Sequence, residues 1–176
     1  HRNTPLHAPA VARQFVYVAT ALHPAAAAKL PHPATPGSPV PPAIVLASTS
    51  PYRRQLLQRL RLPFETVAPQ VEETPHAGES AHATACRLAV LKAQSVGQRH
   101  PRSLIIGSDQ VAELDGRQLS KPLVHETALE QLMAMQGRTV LFHTALALVH
   151  PAGDLALVDC VETQVRFRQL RPSALE

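Results

Sequence analysis

The stretch Ser48-Thr49-Ser50-Pro51-Tyr52-Arg53-Arg54 gathers two serine hydroxyls and two arginines around one turn. Ser50 suits a helix N-cap and Pro51 the first helical position, so free backbone N–H groups and the positive end of a helix dipole would face whatever sits above the turn. Such a turn is a place for phosphate, although an ordinary strand-to-helix turn with a solvated arginine pair uses the same residues. Lys92 falls on the apolar helical stripe Ala81, Ala85, Leu88, Lys92 and Val96. An unpaired buried ammonium is costly, so this lysine either snorkels to an edge or meets an anion in a cleft, and the cleft agrees with a phosphate site. Asp109 follows the apolar run Leu104 to Ile106, within Gly107-Ser108-Asp109-Gln110-Val111. Ligands of open α/β sheets collect beyond strand ends, which makes Asp109 a candidate ligand for a metal or water as well as a turn residue. Pro122 biases Lys121 to extended backbone, presenting it to the same cleft or to solvent.

These side chains need alternating strands and helices to bring them together. A short apolar strand, Ala43 to Ala47, runs into a helix whose apolar face is Leu56, Leu57 and Leu60. Phe64 to Ala68 is a second strand, followed by the polar loop Pro69 to Glu79 that contains Glu72 and Glu73. A helix is predicted from Ser80 to Val96 with Gly97 as its stop, then a short central strand Leu104 to Ile106. Asp115-Gly116 is a favoured two-residue turn, so Val111 to Leu119 reads as a hairpin. A third helix, Glu126 to Gln136, places Ala128, Leu129, Leu132 and Met133 on one face, with its two methionines as core filler and Gly137 as its end. Thr139 to Val149 and Leu155 to Phe167 form a second hairpin around Pro151-Ala152-Gly153-Asp154, and in its second arm Val161, Thr163, Val165 and Phe167 alternate with Glu162, Gln164, Arg166 and Arg168, which predicts one buried and one solvated face. His143 in the first arm reads as structural.

Composition limits the classes that remain. At 176 residues with 45% apolar content, 3% aromatic content and no Trp, the chain suggests one domain with a largely aliphatic core. Cys86 and Cys160 have no ligand-like spacing and read as buried thiols, which suits a reduced, cytoplasmic setting and leaves no dedicated zinc cage. The net charge is +4, but residues 1–42 carry three basic and no acidic residues, so the remainder is near neutral. That balance, without basic and aromatic interleaving, argues against nucleic-acid binding. Residues 1–42 hold nine of the 17 prolines and are expected to be a disordered lead-in. Val11 to Leu22 is too short to span a membrane and is weakly suggestive of a targeting segment.

Five motifs occur in one order: Ser48-Thr49-Ser50-Pro51-Tyr52-Arg53, Glu72-Glu73-Thr74-Pro75, Arg87-Leu88-Ala89 with Lys92-Ala93, Gly107-Ser108-Asp109-Gln110-Val111, and Lys121-Pro122. In this order they resemble the Maf family of nucleoside triphosphate pyrophosphatases, over Ala43 to Pro172. Gln110 after the aspartate and an aromatic Tyr52 between proline and arginine resemble the branch that hydrolyses 7-methyl-GTP. That branch usually carries Trp where Tyr52 stands, and Gly where Ser120 stands.

The resemblance implies a mixed, twisted α/β sheet flanked by helices, of the Maf and inosine-triphosphatase-like type, with a cleft between two lobes. It implies cleavage between the α and β phosphates of a nucleoside triphosphate with Mg²⁺ or Mn²⁺, removing modified nucleotides before they enter nucleic acid. Asp109 would be the general base or orient a metal-bound water, and Glu73 would help hold the metal, with Glu72 as runner-up. Arg53, Lys92 and Lys121 would clamp phosphates above Ser48, Ser50 and the helix N-terminus, and Tyr52 and Gln110 would meet the base. A homodimer is the assembly the family suggests. A dTTP and UTP pyrophosphatase, or a non-catalytic nucleotide-binding regulator of cell division, are the competing readings. Relatives of this type continue well past Glu176, so residues 43–176 are expected to be a C-terminally truncated domain lacking part of the base-side wall. Two states stay open for it: an inactive remnant, or a fragment of an enzyme.

Overall fold

A computed structural model of the chain describes residues 41–122 and 124–169. The expected lead-in and the suggested targeting segment therefore lie outside the described residues, apart from positions 41 and 42. The elements follow in the order β1 (Ile44–Ala47), α1 (Pro51–Gln58), β2 (Phe64–Val67), α2 (Ala81–Gly97), β3 (Leu104–Leu114), β4 (Arg117–Leu119), α3 (His125–Met135), β5 (Thr139–His150), a 3₁₀ turn (Pro151–Gly153) and β6 (Leu155–Arg166). They build one mixed six-stranded sheet in the order β2-β1-β3-β5-β6, with β4 beside β3. β1 is parallel to β2 and β3, whereas β3, β5 and β6 run antiparallel in turn. This is the α/β architecture expected from the alternation of elements.

The two sheet faces are covered by different helices. On one face Ala81, Ala85, Ala89, Ala93 and Val96 of α2 pack on Val45, Ala47, Ile105, Val111, Ala145, Ala147 and Val149. Small alanines let the helix backbone come close, and at Gly107 of β3 it leaves no room for a side chain. A Cβ there would stand 2.1 Å from the Ala89 carbonyl oxygen and 2.8 Å from the Ala93 nitrogen. On the other face Leu57 of α1 packs with Leu46, Ile106, Leu146 and Leu148. The aliphatic core expected from composition is what these two clusters contain.

Several elements differ from expectation. The central strand does not stop at Ile106 but continues to Leu114, so Asp109 lies mid-strand, paired with Ala145 of β5. What stops is the parallel pairing: β1 leaves β3 at Ala47 opposite Gly107. Asp109 is therefore beyond the carboxyl end of β1, and the strand-end rule applies to a neighbour rather than to its own strand. Gly97 is the last residue of α2, buried against Pro151, and not a left-handed stop. The hairpin at Asp115-Gly116 is as read, with φ +47° and +78° at its two central residues. Met133 is half exposed rather than core filler, because α3 buries none of its residues fully and stands off from the sheet. Val161 and Val165 are also partly exposed, since β6 is an edge strand and neither of its faces is fully covered. No helix among the described residues is long and apolar enough to cross a membrane.

Candidate active site

The turn after β1 forms as its residues dictate. Ser50 caps α1 in extended geometry, its Oγ accepting the Arg53 N–H at 3.4 Å, and Pro51 opens the helix. Ser48 is buried beneath the turn, where its Oγ accepts the Ser50 N–H at 3.1 Å. Both hydroxyl oxygens thus hold the turn in shape, and each hydroxyl retains its own proton as a donor.

Beside this turn three elements converge. Lys92, at 5% exposure on α2, sends its Nζ to within 2.6 Å of Asp109 Oδ1 and 2.9 Å of Glu73 Oε1. The burial that the helical stripe implied for Lys92 is therefore matched by two carboxylates, which offset its desolvation. Lys121, largely exposed, lies 3.9 Å from the other oxygen of Glu73. The Arg53 guanidinium faces the same carboxylates: burial pulls it below its ordinary value, while Asp109 and Glu73 act in the opposite direction. The Lys92 hydrogen bond holds the Glu73 carboxyl below the usual carboxylate range, so Glu73 is anionic at neutral pH. Glu72 points elsewhere, accepting the backbone N–H and hydroxyl of Thr74. Of the two adjacent glutamates, the structure brings Glu73 to Lys92.

Not every expected residue joins this cluster. Asp109 and Gln110, adjacent on a strand, face opposite sides of the sheet. Asp109 is on the α2 side, whereas the Gln110 amide donates to Thr144 Oγ1 at 2.7 Å on the side of α1 and α3. There Gln110 and Lys121 border a cavity of about 470 Å³ between α3 and the sheet, with Phe142, Leu132 and Met135 among its walls. Tyr52 is 76% exposed and does not line it.

Sequence reasoning missed the support for Glu73. Arg87 Nε and Nη2 donate to the two oxygens of Glu79 at 2.7 Å each, and Nη2 also donates to the Thr74 carbonyl. Glu79 further accepts the His76 N–H and the Thr84 hydroxyl, and its carbonyl accepts from Gln118. The loop carrying Glu73 is thus tied to α2 at Thr74 and Glu79 and to β4 at Glu79. Arg87 stood in a motif, but nothing in the spacing marked Glu79 as its partner.

The Arg87 hydrogen bonds hold the Glu79 carboxyl down to about 2, against an ordinary value of 4.5. A carboxyl depressed on folding stabilises fully above its unfolded value, and that contribution is lost as pH falls through the folded one. Glu79→Gln is therefore expected to be less stable than the parent near pH 7, with the gap narrowing as pH drops from about 4.5 towards 2. Urea midpoints across that range check it, and a gap that stays constant would remove the Glu79 carboxylate from acid stability.

Two carboxylates around one buried ammonium, beyond the carboxyl end of a parallel strand and beside a serine-capped helix N-terminus, define an α/β protein with a charged cluster at the edge of its parallel pairing. The chain belongs to the Maf family, whose profile, described as Maf-like protein, matches residues 43–176. It is 54% identical over 136 residues to a 7-methyl-GTP pyrophosphatase of Cupriavidus pinatubonensis, covering 77% of this chain and 68% of that relative. A 7-methyl-GTP pyrophosphatase of Albidiferax ferrireducens is 48% identical over 138 residues, covering 78% and 69%. One of Xanthomonas axonopodis pv. citri is 55% identical over 125 residues, covering 71% and 66%.

Proposed function

We propose that this chain is a nucleoside triphosphate pyrophosphatase acting on 7-methyl-GTP, or a similarly modified nucleotide, with Asp109 as the group that takes the proton from the attacking water. The observation that carries the reading is the Lys92 ammonium held by both Asp109 and Glu73, in a chain about half identical to proteins named for that reaction. Two carboxylates that reach one ammonium converge on a spot a cation favours, and carboxylate oxygens are the donors Mg²⁺ and Mn²⁺ take. Glu73 and Asp109 would hold such an ion, which supplies charge neutralisation on the triphosphate oxygens.

The chain's own groups do the rest. Arg53, Lys92 and Lys121 bind phosphate oxygens, and the Ser48 and Ser50 hydroxyls with the N-terminus of α1 support them from below. Once phosphates draw Lys92 towards them, Asp109 is released to orient water and accept its proton. The water oxygen attacks phosphorus, the bond between the α phosphorus and its bridging oxygen breaks, and monophosphate and pyrophosphate leave. Tyr52 and Gln110 would meet the base. A tyrosine ring can stack on a methylated, cationic guanine, and the Gln110 amide can exchange Thr144 for a base edge.

Pyrophosphate release from 7-methyl-GTP, GTP, dTTP and UTP with Mg²⁺ or Mn²⁺ tests this. It should be measured on this chain and on the same chain continued to the length of its relatives. The fastest turnover is expected on 7-methyl-GTP. Faster release from dTTP or UTP would move the chain to the other branch, and nucleotide binding without release from either version would leave a binding protein.

A further inference from the structure

Outside the carboxylate and lysine cluster, α2 and the edge strand β6 bring three soft donors together. Helical spacing stacks His82 and Cys86 one turn apart on α2, and His82 Nδ1 stands 3.9 Å from Cys86 Sγ. Cys160 comes to the same spot from the middle of β6, where it pairs with Ala145 of β5. One donor atom from each of the three lies within 4.8 Å of the other two. Neither thiol is in a disulfide, and both are half-buried rather than buried as the sequence suggested. The long separation of Cys86 from Cys160 along the chain is why no ligand spacing was visible.

We propose that His82, Cys86 and Cys160 bind one thiophilic cation, Zn²⁺, at a site distinct from that of Glu73 and Asp109. Zn²⁺ takes thiolate sulfur at about 2.3 Å and imidazole nitrogen at about 2.0–2.1 Å in tetrahedral geometry, which puts sulfur and nitrogen ligands roughly 3.6 Å apart. The observed 3.9 Å between His82 and Cys86 needs little adjustment to meet that. Both sulfurs rest against the aliphatic layer beneath α2, while His82 is exposed, so three protein ligands come from below and a fourth position opens to solvent. The His82 ring is already restrained, lying edge-on to the ring of His143 with centroids 6.3 Å apart and planes at 82°. Binding displaces the two thiol protons to solvent and oxidises nothing. Two adjacent thiols could instead give two electrons and two protons to an oxidant and form a disulfide, but the imidazole has no part in that chemistry. The cation would clamp β6 to α2, the helix that carries Lys92.

The test is titration of the reduced, chelator-treated protein, kept in a phosphine reductant, with Co²⁺ and then Zn²⁺. One equivalent of Co²⁺ is expected to give intense thiolate-to-cobalt charge-transfer bands in the near ultraviolet, abolished by Zn²⁺. Cys86→Ser and Cys160→Ser should each remove or sharply weaken the bands, and His82→Ala should weaken Co²⁺ binding by more than the roughly 10- to 100-fold typical of outer-shell losses. Glu73→Gln should leave the bands intact, separating this site from the carboxylates. Because a serine variant can misfold, the parent protein is also tested directly: one equivalent of Zn²⁺ should protect both cysteines from alkylation. Free thiols without bands, bands that persist in both serine variants, alkylation unaffected by Zn²⁺, or Cys86 and Cys160 recovered as a disulfide with no metal bound after reduction would each overturn the proposal.

Discussion

Asp109→Asn is expected to lower kcat for pyrophosphate release from 7-methyl-GTP by about 10²- to 10⁴-fold, the range typical of losing a positioned general base. Asparagine keeps the volume of the side chain and an oxygen for the Lys92 ammonium, which also retains Glu73 at 2.9 Å. The local fold should therefore survive, since Asp109 is held on β3 by its pairing with Ala145 and its burial against α2. What is removed is a negative charge, a proton acceptor and one of the two carboxylates proposed to hold the cation, which is why Mg²⁺ is kept saturating. Nucleotide affinity should change only a few-fold, because Arg53, Lys92, Lys121 and the serine turn are untouched. Steady-state release at saturating Mg²⁺, beside calorimetric binding of an analogue with a non-hydrolysable α,β linkage, separates the effects. An unchanged kcat would remove Asp109 from the reaction. Lost binding with an unchanged kcat at saturation would make it a binding group instead.

How much of this site was legible depends on the range over which each signal acts. Lys92 was placed on a buried stripe by 3.6-residue periodicity alone, and its burial matches that placement. The turn at Ser48 to Pro51 was legible because capping is chosen by residues adjacent in sequence. The extent of β3 was not. Gly107, Ser108 and Asp109 are buried without being apolar, Gly107 directly beneath the backbone of α2, and a hydrophobicity pattern sees nothing there. Gln110 follows Asp109 directly, yet a strand sends neighbours to opposite faces, so only Asp109 reaches the α2 side, and that separation becomes visible only once the extent of β3 is known. The pair Glu79 and Arg87 and the trio His82, Cys86 and Cys160 depend on which loop folds over α2 and on the register of β6 against β5. No local pattern encodes either. Met133, Val161 and Val165 were expected to be buried from their spacing, but spacing gives only an apolar face and not what covers it.

Gly107→Ala is expected to disturb the site as much as a change in the carboxylates, though residue 107 would contact no substrate. A methyl group there would stand 2.1 Å from the Ala89 carbonyl oxygen, 2.8 Å from the Ala93 nitrogen and 2.9 Å from the Ala93 Cβ. The obstruction is helix backbone, which has no rotamer to change, so α2 must move bodily from β3. Overpacking of a dense core costs about 1–3 kcal/mol, and rigid backbone on one side puts this case at the upper end. For a domain of this size that corresponds to a fall in Tm of roughly 6–12 °C. The same displacement acts on catalysis. Lys92 lies on α2 just beyond Ala89, and Asp109 follows Gly107 on β3, so separating the two elements stretches the 2.6 Å contact between them. A shift of about 1 Å in a catalytic contact can cost about 10²-fold in rate. The variant should therefore lose turnover at temperatures where it is still folded, which a thermal melt paired with a low-temperature assay measures. A variant with lowered Tm but full activity in the cold would mean that Lys92 and Asp109 are positioned independently of the Gly107 contact. An unchanged Tm would mean that α2 does not lie as close to β3 as the structure places it.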